Sequence, residues 1–158
     1  MSIFARIRHP GWLWLITSLL LVPPSPANAA PGSPIVLGRI DTRPSREAAV
    51  QQLLRSSIQE ELAAADFGRS GAGKRYVLSA RLLKLENAVQ GHSVSSTCVI
   101  SVLLESQQQV LVAVIRGRAT AQDDSGNAAK ARAAAVRGAV RSAISRVAPA
   151  LAASEPAS

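Results

Sequence analysis

Residues 97–121, TCVISVLLESQQQVLVAVIRGRATA, constrain this chain more than any other stretch. Two runs dense in β-branched and aliphatic residues flank a polar Gln tract, which is the pattern of two strands joined as an antiparallel hairpin. With a period of two, Cys98, Ile100, Val102 and Leu104 share one face of the first run. On the second run Leu111, Ala113, Ile115, Gly117, Ala119 and Ala121 share a face. Its opposite face begins Val110, Val112, Val114 and then turns polar with Arg116, Arg118 and Thr120. Gln107, Gln108 and Gln109 form the expected tip. The small residues Gly117, Ala119 and Ala121 admit a second element at close range, and an Ala-rich segment with helical character follows directly.

The remainder reads as support for that hairpin. Residues 35–40 (IVLGRI) form an expected first strand. Ser45 is placed to cap a helix with Glu47 in its first turn, where a carboxylate suits the helix dipole. Val50, Leu54, Ile58, Leu62 and Ala65, joined by Leu53, make one apolar stripe over that helix, which Gly68 ends. Residues 76–85 (YVLSARLLKL) form a second strand, and a phase switch at Leu82 and Leu83 predicts a bulge. Residues 87–96 are a loop or an extended hairpin end. A DDSGN turn at 123–127 precedes a last helix over 128–148 that stops near Pro149. The fold class is α+β: a mostly antiparallel sheet of three to four strands with two helices on one face, in the order β-α-β-β-β-α. One domain spans 35–151, with a flexible lead-in at 30–34 and a disordered tail at 152–158.

At the N-terminus, Arg6 and Arg8 precede an apolar run over 12–22, then Pro23, Pro24 and Ala27-Asn28-Ala29-Ala30. That charged, apolar, small-residue order is that of a secretory signal peptide over 1–29, cleaved near Ala29. Retention as an anchor is the alternative, for which the run falls short of the roughly 20 apolar residues a spanning helix needs. The expected location is therefore periplasmic or secreted. Cys98 is the sole cysteine in the sequence, so no intramolecular disulfide forms, and its apolar face predicts a buried, inert thiol. The chain carries a formal charge of +8, which favours acidic proteins, anionic envelope polymer or lipid head groups over nucleic acid in that compartment. The alternative is that the Arg excess only keeps an Ala-rich chain soluble.

Chemistry-bearing motifs are weak. Residues 68–74 (GRSGAGK) approach a phosphate-binding loop, but Arg75 stands where the magnesium-binding hydroxyl belongs, and a helix precedes where a strand is needed. No nucleotide and no cofactor are expected. His92 lies among Ser93, Ser95 and Ser96, but no nucleophile-elbow pattern surrounds them, and a lone His92 and Cys98 do not make a metal site. A small hydrolase built on His92 is the least favoured reading, and the chain is read as non-catalytic. The element order also matches the double-stranded-RNA-binding fold, yet Asp123 and Asp124 begin the last helix where that fold needs cations.

Projection of the last helix places Ala133, Val136, Val140, Ala143, Ile144, Val147 and Leu151 toward the sheet. Its outward face is then Ala131, Ala134, Ala135, Gly138, Ser142 and Ser145, a small-residue surface for a partner or a second copy. The candidate partner-binding residues are Val110, Val112, Val114, Arg116 and Arg118 on the hairpin, with Lys130, Ala134, Arg137, Gly138 and Arg141 on the helix. Two functions compete: an envelope accessory module acting by protein–protein contact or self-association, and a binder of anionic polymer or lipid through a basic helix–sheet surface.

The segments 35–40, 76–82, 99–104, 110–121 and 128–147 together resemble small envelope domains of the curli-secretion and penicillin-binding-protein-activator lipoprotein type, which carry a "YVLSARL"-like strand and a "GRATA" segment. The chain departs from that group in lacking the lipoprotein cysteine and in having Glu105-Ser106-Gln107-Gln108-Gln109 at the hairpin turn. The resemblance implies a non-catalytic assembly or regulatory module, and it transfers no site residues.

Overall fold

The computed structural model describes residues 34–43, 45, 47–67 and 74–154. The signal segment, most of the lead-in, the loop at 68–73 and the last four residues lie outside them. Four strands, β1 (Ile35–Asp41), β2 (Tyr76–Gln90), β3 (Ser93–Ser106) and β4 (Leu111–Asp124), form one sheet in sequence order. β1 runs parallel to β2, and the other two pairs are antiparallel. The helix α1 (Ala48–Ala64) makes the parallel crossover. A 3-10 turn (Ser125–Asn127) leads into α2 (Ala128–Ile144), and α3 (Val147–Ser154) closes the described chain. This is the α+β, mostly antiparallel architecture expected from the sequence, with a fourth strand settled and a short third helix added.

One face of the sheet carries the core. Leu78, Ala80 and Leu82 of β2, Cys98, Ile100, Val102 and Leu104 of β3, and Ile115 of β4 are all buried there. α2 lies over β3 and β4, and α1, packed against α2 and β1, adds Val50, Leu54, Ile58 and Leu62 to the same core, four members of the expected stripe. Ser57 is buried beside them, a position that the hydropathy pattern did not mark. The predicted bulge in β2 is present: pairing passes from Leu82–Ile100 to Lys84–Val99, leaving Leu83 unpaired.

Several local expectations are corrected. Glu47, not Ser45, occupies the N-cap position of α1, and it makes no side-chain cap. Ser45 instead donates its backbone N–H to Thr42 O in the preceding turn. Glu47 reaches across to Arg132 of α2 at 2.9 Å, tying the two helices together. Residues 87–96 are the extended hairpin end: β2 and β3 pair as far as Gln90 and Ser93. Gly91 fills the first position of the two-residue turn with φ of +59°, the left-handed value that favours glycine at that place in a hairpin.

The last helix is not continuous to 148. α2 ends at Ile144, and α3 restarts at Val147. Pro149 explains the break, because in an unbroken helix its ring would strike the carbonyl of Ser145 and leave it without a donor. Within the first turn of α3 the missing N–H of Pro149 costs little. Helix continues to Ser154, so 152–154 belong to the folded unit.

α2 is also rotated relative to the projection. Ala131, Ala135 and Ala139 are buried together with Val136, Val140, Ala143 and Ile144. The cause lies in β4. A Cβ added to Gly117 would run into the Ala139 carbonyl, and one added to Gly138 would sit 2.8 Å from the Ala119 Cβ. Ala131, Ala135 and Gly138 of the expected outward set therefore turn inward, Gly138 against β4, while Ala134 and Ser145 stay exposed.

Candidate interaction surface

The other face of the sheet is covered by none of the described helices. Cross-strand register builds it row by row, since residues directly opposite share a face. The first rows are apolar: Val36 beside Val77, then Leu103 beside Val114, with Leu111 next to Glu105. The middle rows are basic: Arg81–Ser101–Arg116, then Lys84–Val99–Arg118. The rows beyond are polar: Glu86–Thr97–Thr120, with the two threonine hydroxyls 3.0 Å apart, then Ala88–Ser95–Gln122. The face thus passes from apolar to cationic to polar along the strands.

Both ends of that gradient are accessible where β4 runs. Val110, Leu111 and Val114 are 58%, 53% and 55% exposed, three large apolar side chains within five residues. A cavity of about 570 Å³ opens at the same end, lined by Lys74, Arg75 and Tyr76 at the start of β2 and by Ser106, Val110 and Leu111 at the tip. The tip itself is the expected Gln tract. Ser106 N donates to Val110 O at 2.9 Å, and Gln109 takes a left-handed φ of 61°.

The cations on this face are not equivalent. Arg81 lies 3.7 Å from Asp41 of β1, and Lys84 lies 2.7 Å from Glu86 of its own strand. Arg116 and Arg118 have no carboxylate partner among the described residues. Each cation on the β2 side therefore has a carboxylate in reach, although Asp41 also serves Arg43 at 3.2 Å, and the two on the β4 side have none among the described residues.

The candidate residues named from the sequence divide between the two sides of the molecule. Val114, Arg116 and Arg118 project from the uncovered face, and Val110 stands at its corner. Val112 does not join them. Pairing shifts from Leu104–Ala113 to Glu105–Leu111, which makes Val112 the extra residue of a bulge and turns it against the core. Leu111 takes the outward place instead, a slip that valines at 110, 112 and 114 conceal because they look alike. Lys130, Ala134, Arg137 and Arg141 are exposed on α2, which covers the opposite face. Gly138 faces β4. Two of these cations are already paired, Lys130 with Asp123 at 3.1 Å and Arg141 with Glu61 at 3.0 Å. The helix–sheet basic surface is thus split by the sheet.

Asp123 organises the start of α2 from the end of β4. Its carboxylate accepts from the Asn127 side chain at 3.0 Å and from the Asp124 backbone N–H at 2.9 Å. These bonds, together with Lys130, hold its pKa below the usual carboxylate range. Cys98 is fully buried, and loss of hydration pushes its thiol up to about 11, the inert state expected. His92 is exposed in the hairpin turn, where its carbonyl accepts from Ser125 N at 2.8 Å. Its neighbours bond elsewhere: Ser93 Oγ donates to Gln90 O at 3.1 Å, and Ser96 Oγ donates to Asn87 Oδ1 at 2.8 Å on the other face. Among the described residues no group of three or more His, Cys, Asp or Glu could hold a metal ion, and no helix is long and apolar enough to cross a membrane.

No family model matches the chain, and no curated sequence matches it. Solved structures do. The hypothetical protein CT253 from Chlamydia trachomatis is similar with a TM-score of 0.51 at 13% identity, over 75% of this chain and 97% of that one. A minor lipoprotein from Acinetobacter baumannii matches with a TM-score of 0.42 at 12% identity, over 77% and 92% of the two chains. The first likeness establishes a shared fold. Neither protein is described as a curli-secretion or penicillin-binding-protein-activator component, so the resemblance read from the sequence reduces to that fold.

Proposed function

We propose that this chain is a non-catalytic accessory module of the bacterial cell envelope that binds another protein through the uncovered face of its sheet. The observation that carries this reading is the asymmetry of the sheet: one face is sealed by helices, and the other presents exposed Val110, Leu111 and Val114 beside Arg116 and Arg118, which have no carboxylate partner among the described residues. An apolar patch rimmed by charge is how protein-binding surfaces are commonly built. The N-terminal order of charged, apolar and small residues supports passage out of the cytoplasm. The name of the Acinetobacter baumannii protein agrees with that compartment.

The competing reading, an anionic polymer or lipid surface, asks for cations gathered on one side. Here Arg116 and Arg118 lie on one face of the sheet while Arg137 lies on the helix over the other. A photo-crosslinking side chain placed at Val114, and separately at Ala134, tests the proposal in envelope preparations. Protein adducts from position 114 and none from 134 are expected. Adducts from 134 alone would move the surface to α2 and overturn the reading. Light scattering on the chain at low and high salt separates an unlike partner from a second copy, since a dimer that persists in salt would make the partner another copy of this chain.

A further inference from the structure

β4 lies at the edge of the sheet. β3 pairs with it on one side, and among the described residues no strand pairs with it on the other. In an antiparallel ladder the backbone groups of alternate residues point toward the partner strand and away from it. The Arg116 carbonyl accepts a bond from Arg146 Nη1 at 3.4 Å, and Arg146 is not on the sheet, so Arg116 points away from β3. Register is unbroken from Ala113 to Asp124. Val114, Arg116, Arg118 and Thr120 therefore share that outward direction, and each turns an N–H and a carbonyl to the edge, where an added strand would take the place of the long Arg146 contact on the Arg116 carbonyl.

The same four residues carry their side chains on the uncovered face. A strand added at this edge would set its own side chains directly beside them, about 4.5–5.5 Å away. Arg116 and Arg118 lack carboxylate partners among the described residues, and Arg146 reaches the same edge with only the Arg116 carbonyl for a partner. Three guanidinium groups thus gather along one strand edge, with the apolar Val114 and Leu111 at its start. A second copy pairing edge to edge about Gly117 would bring the arginines of both copies together, an arrangement that like charges oppose. The geometry points to a different occupant: an extended acidic polypeptide segment that adds to β4 as a fifth strand, with carboxylates at alternate positions beside Arg116 and Arg118 and an apolar side chain beside Val114. This deepens the protein-binding reading of the uncovered face and rests on it. Backbone hydrogen bonds supply the docking, and the arginines select the charge.

The test uses the full chain and a synthetic seven-residue peptide in which Glu alternates with Thr and the last residue is Leu. Binding is read by fluorescence anisotropy, and its location by amide hydrogen exchange. The acidic peptide is expected to bind, to slow exchange at Val114, Arg116, Arg118 and Thr120, and to weaken as salt rises. The double variant R116E/R118E should lose at least about tenfold in affinity and gain binding for the matching Lys–Thr peptide, since like charges now face the acidic one. Both substitutions are on exposed side chains, and an unchanged unfolding curve would confirm that the variant is folded. A peptide N-methylated at alternate residues keeps its charges and loses the donors, so it should not bind. Equal binding of the methylated peptide would overturn strand addition while leaving the face reading intact. Failure of the acidic peptide to bind, with crosslinking from position 114 retained, would reject this proposal alone. Crosslinking confined to position 134 would reject the protein-binding reading beneath it.

Discussion

The two faces of β4 differ in what a single methyl group can do. On the inner face, Ile115, Gly117, Ala119 and Ala121 lie under α2, whose own Ala135, Gly138, Ala139 and Ala143 are equally small. The backbones meet so closely that Gly117 has no room for a Cβ. On the outer face Val114, Arg116 and Arg118 meet solvent. One strand therefore alternates between positions fixed by steric fit and positions fixed by nothing in the described fold. The inner set explains why the chain folds. The outer set asks for a partner.

Neighbouring leucines of β3 break that comparison most directly. Leu104 is fully buried on the inner face, whereas Leu103 is half-buried on the outer one. Leu104→Ala is expected to cost about 2–5 kcal/mol in urea unfolding, since it removes buried methyls and leaves a cavity. Leu103→Ala should cost less than about 1.5 kcal/mol, because a half-exposed side chain has less transfer free energy to lose. Equal losses would mean that the outer face is covered.

Gly117→Ala comes next. The added Cβ must push α2 away from Ala139, so a loss toward the upper part of about 1–3 kcal/mol is expected. Arg116→Ala on the same strand should stay within about 0.5 kcal/mol of the parent. Thermal unfolding of both variants is the check, and a neutral Gly117→Ala would show that the helix can shift at no cost.

Cys98 sharpens the contrast chemically. Its burial raises the thiol to about 11, so the folded protein keeps it protonated where the unfolded chain, near pH 8.5, begins to ionise. The stability that this supplies is complete below the unfolded value and is lost as pH climbs from there toward about 11. In accord with this, a thiol reagent at pH 8 should label no cysteine in the native chain and one after unfolding. A single equivalent of native labelling would place Cys98 outside the core.

These contrasts also show which parts of the structure the sequence could announce. Element order, the bulge beside Leu82 and the Gln hairpin tip were legible because each is written in local pattern: β-branched runs, a phase switch, a polar break. The rotation of α2 was not. Ala131, Ala135 and Ala139 are the same residue type as the exposed Ala134, and the close approach at Gly117 and Ala119 decides which alanines turn inward. The bulge at Val112 was hidden for a related reason, since three alternating valines give no cue when the phase slips. As for the interaction surface, Arg116 and Arg118 were legible as candidates, but their separation from Arg137 and Arg141 is a property of the folded layers. Nothing in the linear order of the cations says that a sheet will stand between them.

The smallest expected effect concerns Asp123, where β4 leaves the sheet and α2 begins. Its carboxylate is held by Asn127, by the Asp124 backbone and by Lys130, so its folded pKa lies below the unfolded value of roughly 3.9. The sign follows from linkage: the folded state binds fewer protons, so the stabilisation is present above that value and fades as pH falls through the lower, folded one. Asp123→Asn should therefore destabilise the chain slightly near neutrality and much less at acid pH, where the parent carboxylate is also neutral. Denaturation curves at pH 7 and in the acid range test this. Arg118→Ala, five residues earlier on the uncovered face, should show no such convergence, because no described carboxylate pairs with it. If Arg118→Ala did lose its effect in acid, the arginine would have an acidic partner within the chain, and the open charge from which the strand-addition argument starts would be filled.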